Sequence, residues 1–256
     1  MFFITTIIYN LKQIFSFFKY FFDYNKNMKK LNLLKNILPY EFDDTFLENR
    51  KKYIRKNGCV LFTDVVSYCK MADTYSDMII YMILNDMYCR FDKIIQKYSA
   101  LCKIETIGDA YMAIGDIKID ENESKVQMIQ FALELLDEIK NVHTPSHVLQ
   151  LRIGLHFGSY IVCLLGKLKP RLCIVGKNVN LTARLQTTAE PNTIQISKSF
   201  YNSISNYDFR SAFEKNDSVF LKNIGDVETY TLRQRRHKRL PRTYSFSIND
   251  GSLSIP

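Results

Sequence analysis

The six cysteines form no C-x-x-C pair, and the chain shows no internal repeat, no leader peptide pattern and no recognisable sensor domain. Without paired cysteines there is no disulfide or metal framework to expect. Most of the thiols fall inside apolar or helical patterns, where a thiol behaves as a small hydrophobe, so a reducing compartment follows. The N-terminus lacks a basic start and a small-residue cleavage site, which argues against a secretory signal. Histidine is scarce too, at four residues. His143 and His147 have the spacing of a helical metal pair, but Pro145 between them makes a polar loop the expected structure.

What the chain does have is globular composition, 46% hydrophobic and 24% charged over 256 residues, enough to bury a full core. One catalytic-sized domain is expected at residues 55–233, between an N-terminal attachment at 1–54 and a basic tail at 234–256. Part of the net charge of +9 sits in the run from Arg233 to Arg242, so the charge is no argument for nucleic acid and no such partner is expected. The tail has no apolar period and is read as a disordered, solubilising charge run; anionic lipid, phosphorylation or a nuclear address are narrower alternatives. In the N-terminal segment Ile4, Ile8, Leu11, Phe15, Phe18 and Phe22 step by four and three, forming one apolar helical stripe. An amphipathic helix on a membrane surface, a short imperfect anchor and a dimerising coiled coil all fit it, with surface or anchor association ranked first. The expected location is cytoplasmic, with the membrane's cytoplasmic face as the option this stripe leaves open.

From Cys59 the pattern becomes strands and helices in compact alternation. An apolar run, Cys59 to Phe62, leads into Asp64 and reads as a central strand. Ile80, Leu84, Met87, Phe91, Ile94 and Tyr98 make a helical stripe over 77–98. Lys103 to Ile114 reads as two strands turning at Gly108, and a second helix follows over about 124–140. Leu149, Leu151, Ile153 and Leu155 alternate with Gln150, Arg152, Gly154 and His156, as in a strand with one buried face. Strand, helix, strand, strand, helix, strand is the split βαβ order, so the fold class is α+β with a ferredoxin-like palm. Further strands near Leu172, at 193–197 and at 227–232, with a helix over 178–189, extend it.

Asp64 ends the first strand and Asp109 opens the strand after the hairpin; in a palm these strands can lie side by side. Two carboxylates about 4 Å apart repel by roughly 4 kcal/mol near a surface, so such a pair calls for a divalent cation such as Mg²⁺ or Mn²⁺. Isolated, both would read as turn aspartates. Their surroundings are more specific. Phe62-Thr63-Asp64-Val65-Val66-Ser67-Tyr68, Lys103 to Met112 and Arg171 to Leu185 together resemble the class III nucleotidyl cyclases over roughly residues 57–232, and the middle segment is similar to the guanylyl cyclase version.

The resemblance implies roles by position. Asp64 and Asp109 match the aspartates that hold two Mg²⁺ or Mn²⁺ ions. Asn180 and Arg184, four apart on one helix, match the pair that positions the ribose and stabilises charge on the α-phosphate. Glu105 and Cys173 match the base-selecting positions. A carboxylate accepts from both the ring N–H and the amino group of guanine, while adenine presents a lone pair at that ring nitrogen, so GTP is the expected substrate over ATP. Val65, Val66, Ser67 and Tyr68 match the stretch whose backbone meets the triphosphate. The family usually has glycine and phenylalanine where Ser67 and Tyr68 stand, and its phosphate lysine aligns with Ile224, leaving Lys222 to replace it; low turnover would follow. Each site in the family draws on two catalytic domains, so a homodimer with two equivalent sites is implied. The alternatives are an adenylyl cyclase with relaxed base selection and a weakly active partner subunit.

Overall fold

The computed structural model describes residues 53–115, 121–166 and 171–233. The N-terminal stripe and the basic tail lie outside them. The chain runs β1 (Tyr53–Val65), α1 (Tyr68–Thr74), α2 (Asp77–Ile95), β2 (Leu101–Ile107), β3 (Ala110–Gly115), α3 (Glu121–Glu138), β4 (Leu151–Leu165), β5 (Arg171–Val175), α4 (Lys177–Thr188), β6 (Thr193–Ser197), α5 (Lys198–Ser203), β7 (Glu214–Lys215), β8 (Val219–Leu221), β9 (Gly225–Val227) and β10 (Thr229–Arg233).

Strand order β2-β3-β1-β4 is that of the expected palm, and the sheet continues through β6, β10 and β7. β1 pairs antiparallel with β4 along its whole length, from Tyr53 opposite Cys163 to Val65 opposite Leu151. Its other edge meets β3, with Phe62 opposite Met112. Period two sets Cys59, Leu61 and Val65 of β1 and Leu151, Ile153 and Leu155 of β4 on one face, where they join the core with α2 and α3. On α2 the residues Ile83, Met87, Phe91 and Ile94 recur at helical spacing and are buried. Phe91 and Phe131 contact Tyr111 at ring-centroid distances of 5.7 and 6.1 Å. Each such fully buried apolar side chain contributes about 1.5–3 kcal/mol.

The second face of β4 is not solvated, contrary to the one-sided alternation. Gly154 and His156 are buried because α4 lies directly on that face. A Cβ on Gly154 would fall 2.6 Å from the Thr182 carbonyl oxygen and 2.8 Å from Gln186 Cα; one on Gly158 would fall 2.7 Å from Asn178 Nδ2. The two glycines therefore permit the close approach of helix and strand. Beneath the helix, His156 Nδ1 lies 2.7 Å from Ser197 Oγ, and burial pushes the imidazole down to about 4. β4 also runs on to Leu165, where it carries β5 as a hairpin partner. His143 and His147 lie in a loop, as Pro145 requires. Among the described residues no helix is long and apolar enough to cross a membrane.

Candidate active site

Asp109 follows Gly108, whose φ of +61° makes the β2–β3 turn. Because β3 lies beside β1, this turn meets the end of β1, and the Val65 N–H donates to Asp109 Oδ2 at 2.9 Å. Burial and then the charge of Asp64 push the Asp109 carboxyl up to about 6, against the opposing effect of the Val65 N–H. The two carboxylates thus converge. Asp64 stands opposite Arg152 in the β1–β4 register; Arg152 Nε donates to Asp64 Oδ2 at 3.1 Å and Nη2 pairs with the same oxygen. Arg152 is a site residue that sequence reading missed. In the alternation it was merely a polar residue of β4, and only the register reveals its partner.

Among the described residues no group of three or more His, Cys, Asp or Glu side chains converges. Two carboxylates, one destabilised first by burial and then by the other, fit a hard cation that completes its shell with phosphate and water oxygens, and do not fit a closed zinc-type site.

Aromatic and charged groups brace the turn from below. The Tyr88 hydroxyl donates to the Gly108 carbonyl at 2.5 Å. Asp92 accepts from Lys103 Nζ at 2.7 Å and from the Tyr111 hydroxyl at 2.8 Å, and the ammonium sits 5.0 Å from the Tyr111 ring centre. The Tyr88 and Tyr68 hydroxyls are both held up in pKa, first by burial and then by Asp109, so both stay protonated beside it.

In the segment expected to meet phosphates, the Val65 N–H is committed to Asp109 and the Val66 N–H to the Gln150 carbonyl at 2.9 Å. The next N–H groups along the segment are those of Ser67 and Tyr68. Ser67 has φ +59°, the left-handed conformation that glycine adopts without strain.

Glu105 is aimed by a β-bulge. Lys103 stands opposite Ala113 but Glu105 stands opposite Met112, so Ile104 is the extra residue. Without it, residues two apart would share a face. Instead Lys103 reaches Asp92 on α2 while Glu105, its side chain 15% exposed, pairs with Arg171 at the start of β5. Cys173 lies two residues beyond Arg171 on the strand that packs against β2. The sequence motif contained Arg171, but nothing in its spacing marked it as the partner of Glu105.

On α4 the buried residues Val179, Thr182, Leu185 and Gln186 face the sheet. At 100° per residue, Asn180 and Arg184 lie about 40° apart on the opposite side of the helix. Among the described residues no carboxylate pairs with Arg184. These two side chains therefore share a face, and that face looks away from the sheet that carries Asp64. Lys222 is exposed in the turn of the β8–β9 hairpin, which packs beside α4.

The family model described as adenylate and guanylate cyclase catalytic domain matches residues 51–234. The receptor-type guanylate cyclase gcy-28 of Caenorhabditis elegans is 32% identical over 225 residues, 86% of this chain and 18% of that protein. Guanylate cyclase soluble subunit beta-2 of Homo sapiens is 30% identical over 210 residues, 80% of this chain and 34% of its own length. The chain thus spans about a third or less of these relatives. Among solved structures, the guanylate cyclase domain of RhGC from Catenaria anguillulae in complex with GTP superposes with a TM-score of 0.64 at 28% identity, covering 72% of this chain and 100% of that one.

Proposed function

Because the chain belongs to the adenylate and guanylate cyclase catalytic domain family, a class of phosphorus–oxygen lyases, we propose that it converts GTP into cyclic GMP and pyrophosphate. The observation that carries this reading is the convergence of Asp64 on Asp109, which leaves a half-buried carboxyl lifted first by burial and then by its neighbour's charge, and suited to a cation.

Two Mg²⁺ or Mn²⁺ ions, when bound, would supply Lewis-acid activation of the ribose 3′-hydroxyl and neutralise triphosphate charge. Asp64 and Asp109 would hold them. Arg152 orients Asp64 through the hydrogen bond that its Nε donates at 3.1 Å. Asn180 orients the ribose while Arg184, without an acidic partner among the described residues, stabilises charge on the α-phosphate as the bond from the 3′-oxygen forms and that to pyrophosphate breaks. The N–H groups of Ser67 and Tyr68, with Lys222, take the outer phosphates. Glu105 accepts from the guanine ring N–H and amino group, and Cys173 is a weak donor to the guanine oxygen; adenine would leave a half-buried carboxylate facing a lone pair. Arg171 pairs with Glu105 and orients it for that purpose.

The outward face of Asn180 and Arg184 supports a two-fold homodimer in which each site combines the aspartates of one copy with α4 of the other. Leu165 and Val175 on the β4–β5 hairpin and Phe220 and Ile224 on the β8–β9 hairpin are large apolar side chains left exposed, as a pairing surface would require. The location that goes with this reading is cytoplasmic. The expected membrane association rests on residues outside those described.

A second reading, a partner subunit with little activity alone, is favoured by the left-handed backbone at Ser67 and by Ile224 at the aligned lysine position. Purified chain assayed with Mn²⁺ and either nucleotide over a range of protein concentrations separates the readings. Cyclic GMP forming about tenfold or more faster than cyclic AMP, with specific activity rising with concentration, is the expected result. Activity that needs a different chain selects the partner reading. If Glu105→Lys with Cys173→Asp leaves the GTP to ATP ratio unchanged, base readout here is wrong; if neither nucleotide is cyclised under any condition, so is the enzyme reading.

A further inference from the structure

The antiparallel register of β4 and β5 sets Cys163 directly opposite Cys173. Directly opposed residues have Cα atoms about 4.5 or 5.5 Å apart, and both spacings lie inside the roughly 4.4–6.8 Å range that a disulfide spans. Their Cβ atoms, about 4.5–5.5 Å apart in such pairs, need to approach by only about 1 Å. Side-chain rotation and a small closing of the hairpin suffice. Both thiols are free, and they sense each other: burial and then Cys173 push the Cys163 thiol up.

The surroundings of the two sulfurs differ in a useful way. Cys163 is 5% exposed, while Cys173 is only half-buried and lies on the strand face that begins with Arg171. An oxidant therefore reaches Cys173 first and finds Cys163 waiting across the strand. No other cysteine has such a partner in the strand registers, since Cys59 opposes Phe157 and Cys102 opposes Ile114.

We propose that Cys163 and Cys173 form an oxidisable dithiol, which hydrogen peroxide closes into a cross-strand disulfide that withdraws the thiol from the base-reading position. The Cys173 thiolate attacks the peroxide; an S–O bond forms, the O–O bond breaks, and the leaving hydroxide takes up the proton to become water. The Cys163 sulfur then attacks the sulfenic acid; the S–S bond forms, the S–O bond breaks, and a second water leaves. Two thiols are oxidised by two electrons and one peroxide is reduced to two waters. A dithiol reductant reverses the change. The consequence for base selection rests on the cyclase reading, whereas formation of the bond does not.

The full chain treated with hydrogen peroxide, alkylated and digested with trypsin reports the bond without any activity. Cleavage after Arg152, Lys167, Arg171 and Lys177 places the two cysteines in separate peptides, 153–167 and 172–177. The expected product is these two peptides joined, with two alkylatable thiols lost per chain and regained on reduction. Cys163→Ser should fold and cyclise GTP as the parent does, yield no joined peptide, and leave Cys173 trapped by a sulfenic-acid probe. GTP cyclisation by the parent should fall several-fold as the joined peptide accumulates and return with the reductant. Peptides that stay separate while Cys69 or Cys89 is consumed, or a link between copies in place of the link within one, would overturn the pair. A joined peptide with unchanged cyclisation of GTP would overturn its role at the base site.

Discussion

Replacing Asp109 with Asn should make the metal-free protein more stable while abolishing its catalysis. The amide keeps a carbonyl oxygen to accept the Val65 N–H, now bonded at 2.9 Å, so little but charge is removed. Raising a carboxyl from an ordinary 3.8 to about 6 corresponds to roughly 3 kcal/mol at 1.36 kcal/mol per unit. Arg152 and residual solvent screen part of this, and about 2 kcal/mol at pH 7 is the expected gain, or about 4–8 °C in Tm for a domain of this size. The sign follows from linkage. The folded pKa lies above the unfolded one, so the native chain binds this proton more tightly and stability falls as pH rises from about 4 through about 6. Thermal unfolding in a chelator should therefore show the variant ahead of the parent at pH 7 and level with it at pH 4. Millimolar Mn²⁺ should raise the parent's Tm and leave the variant's in place. An Asp109→Asn variant no more stable than the parent at pH 7, or equally favoured at both pH values, would refute the idea that burial and the charge of Asp64 destabilise this carboxylate in the absence of a cation.

His156 gives a slope of opposite sign over an overlapping window. Burial holds it down to about 4 in the native state, so stability is retained above the unfolded value near 6.5 and is lost by up to about 3 kcal/mol as pH falls towards 4; denaturant titrations should show His156→Gln relieved of that slope. Gly154→Ala should cost about 2–3 kcal/mol in urea unfolding, because the added Cβ meets the backbone of α4 rather than a side chain that can swing away. Ser67→Gly should stabilise by about 0.5–1 kcal/mol through relief of the left-handed backbone at φ +59°, and Ser67→Val should destabilise by more than about 1 kcal/mol.

The palm was legible because its strongest signals are periodic. The stripe on α2 and the alternation of β4 correspond to real buried faces, and the glycine before Asp109 marked its turn. Legibility failed where a third layer or a register decides. Gly154 and His156 looked solvated because the alternation of one strand says nothing of a helix laid on its other face. Arg152 was invisible as the partner of Asp64 until β4 was placed against β1. The bulge at Ile104 left no trace, since it needs no glycine, yet without it Glu105 would point with Lys103 towards α2. α1 spans only Tyr68–Thr74, too short for its period to stand out.

Mixing two inactive chains tests the whole arrangement. Asp109→Asn removes the carboxylate and Arg184→Ala the guanidinium, and neither homodimer retains a complete site. In an equimolar mixture about half the dimers are mixed and each of these holds one intact site, so GTP cyclisation should return to about a quarter of the parent rate. A mixture as inactive as its components would contradict the proposal that the aspartates of one copy work with α4 of the other.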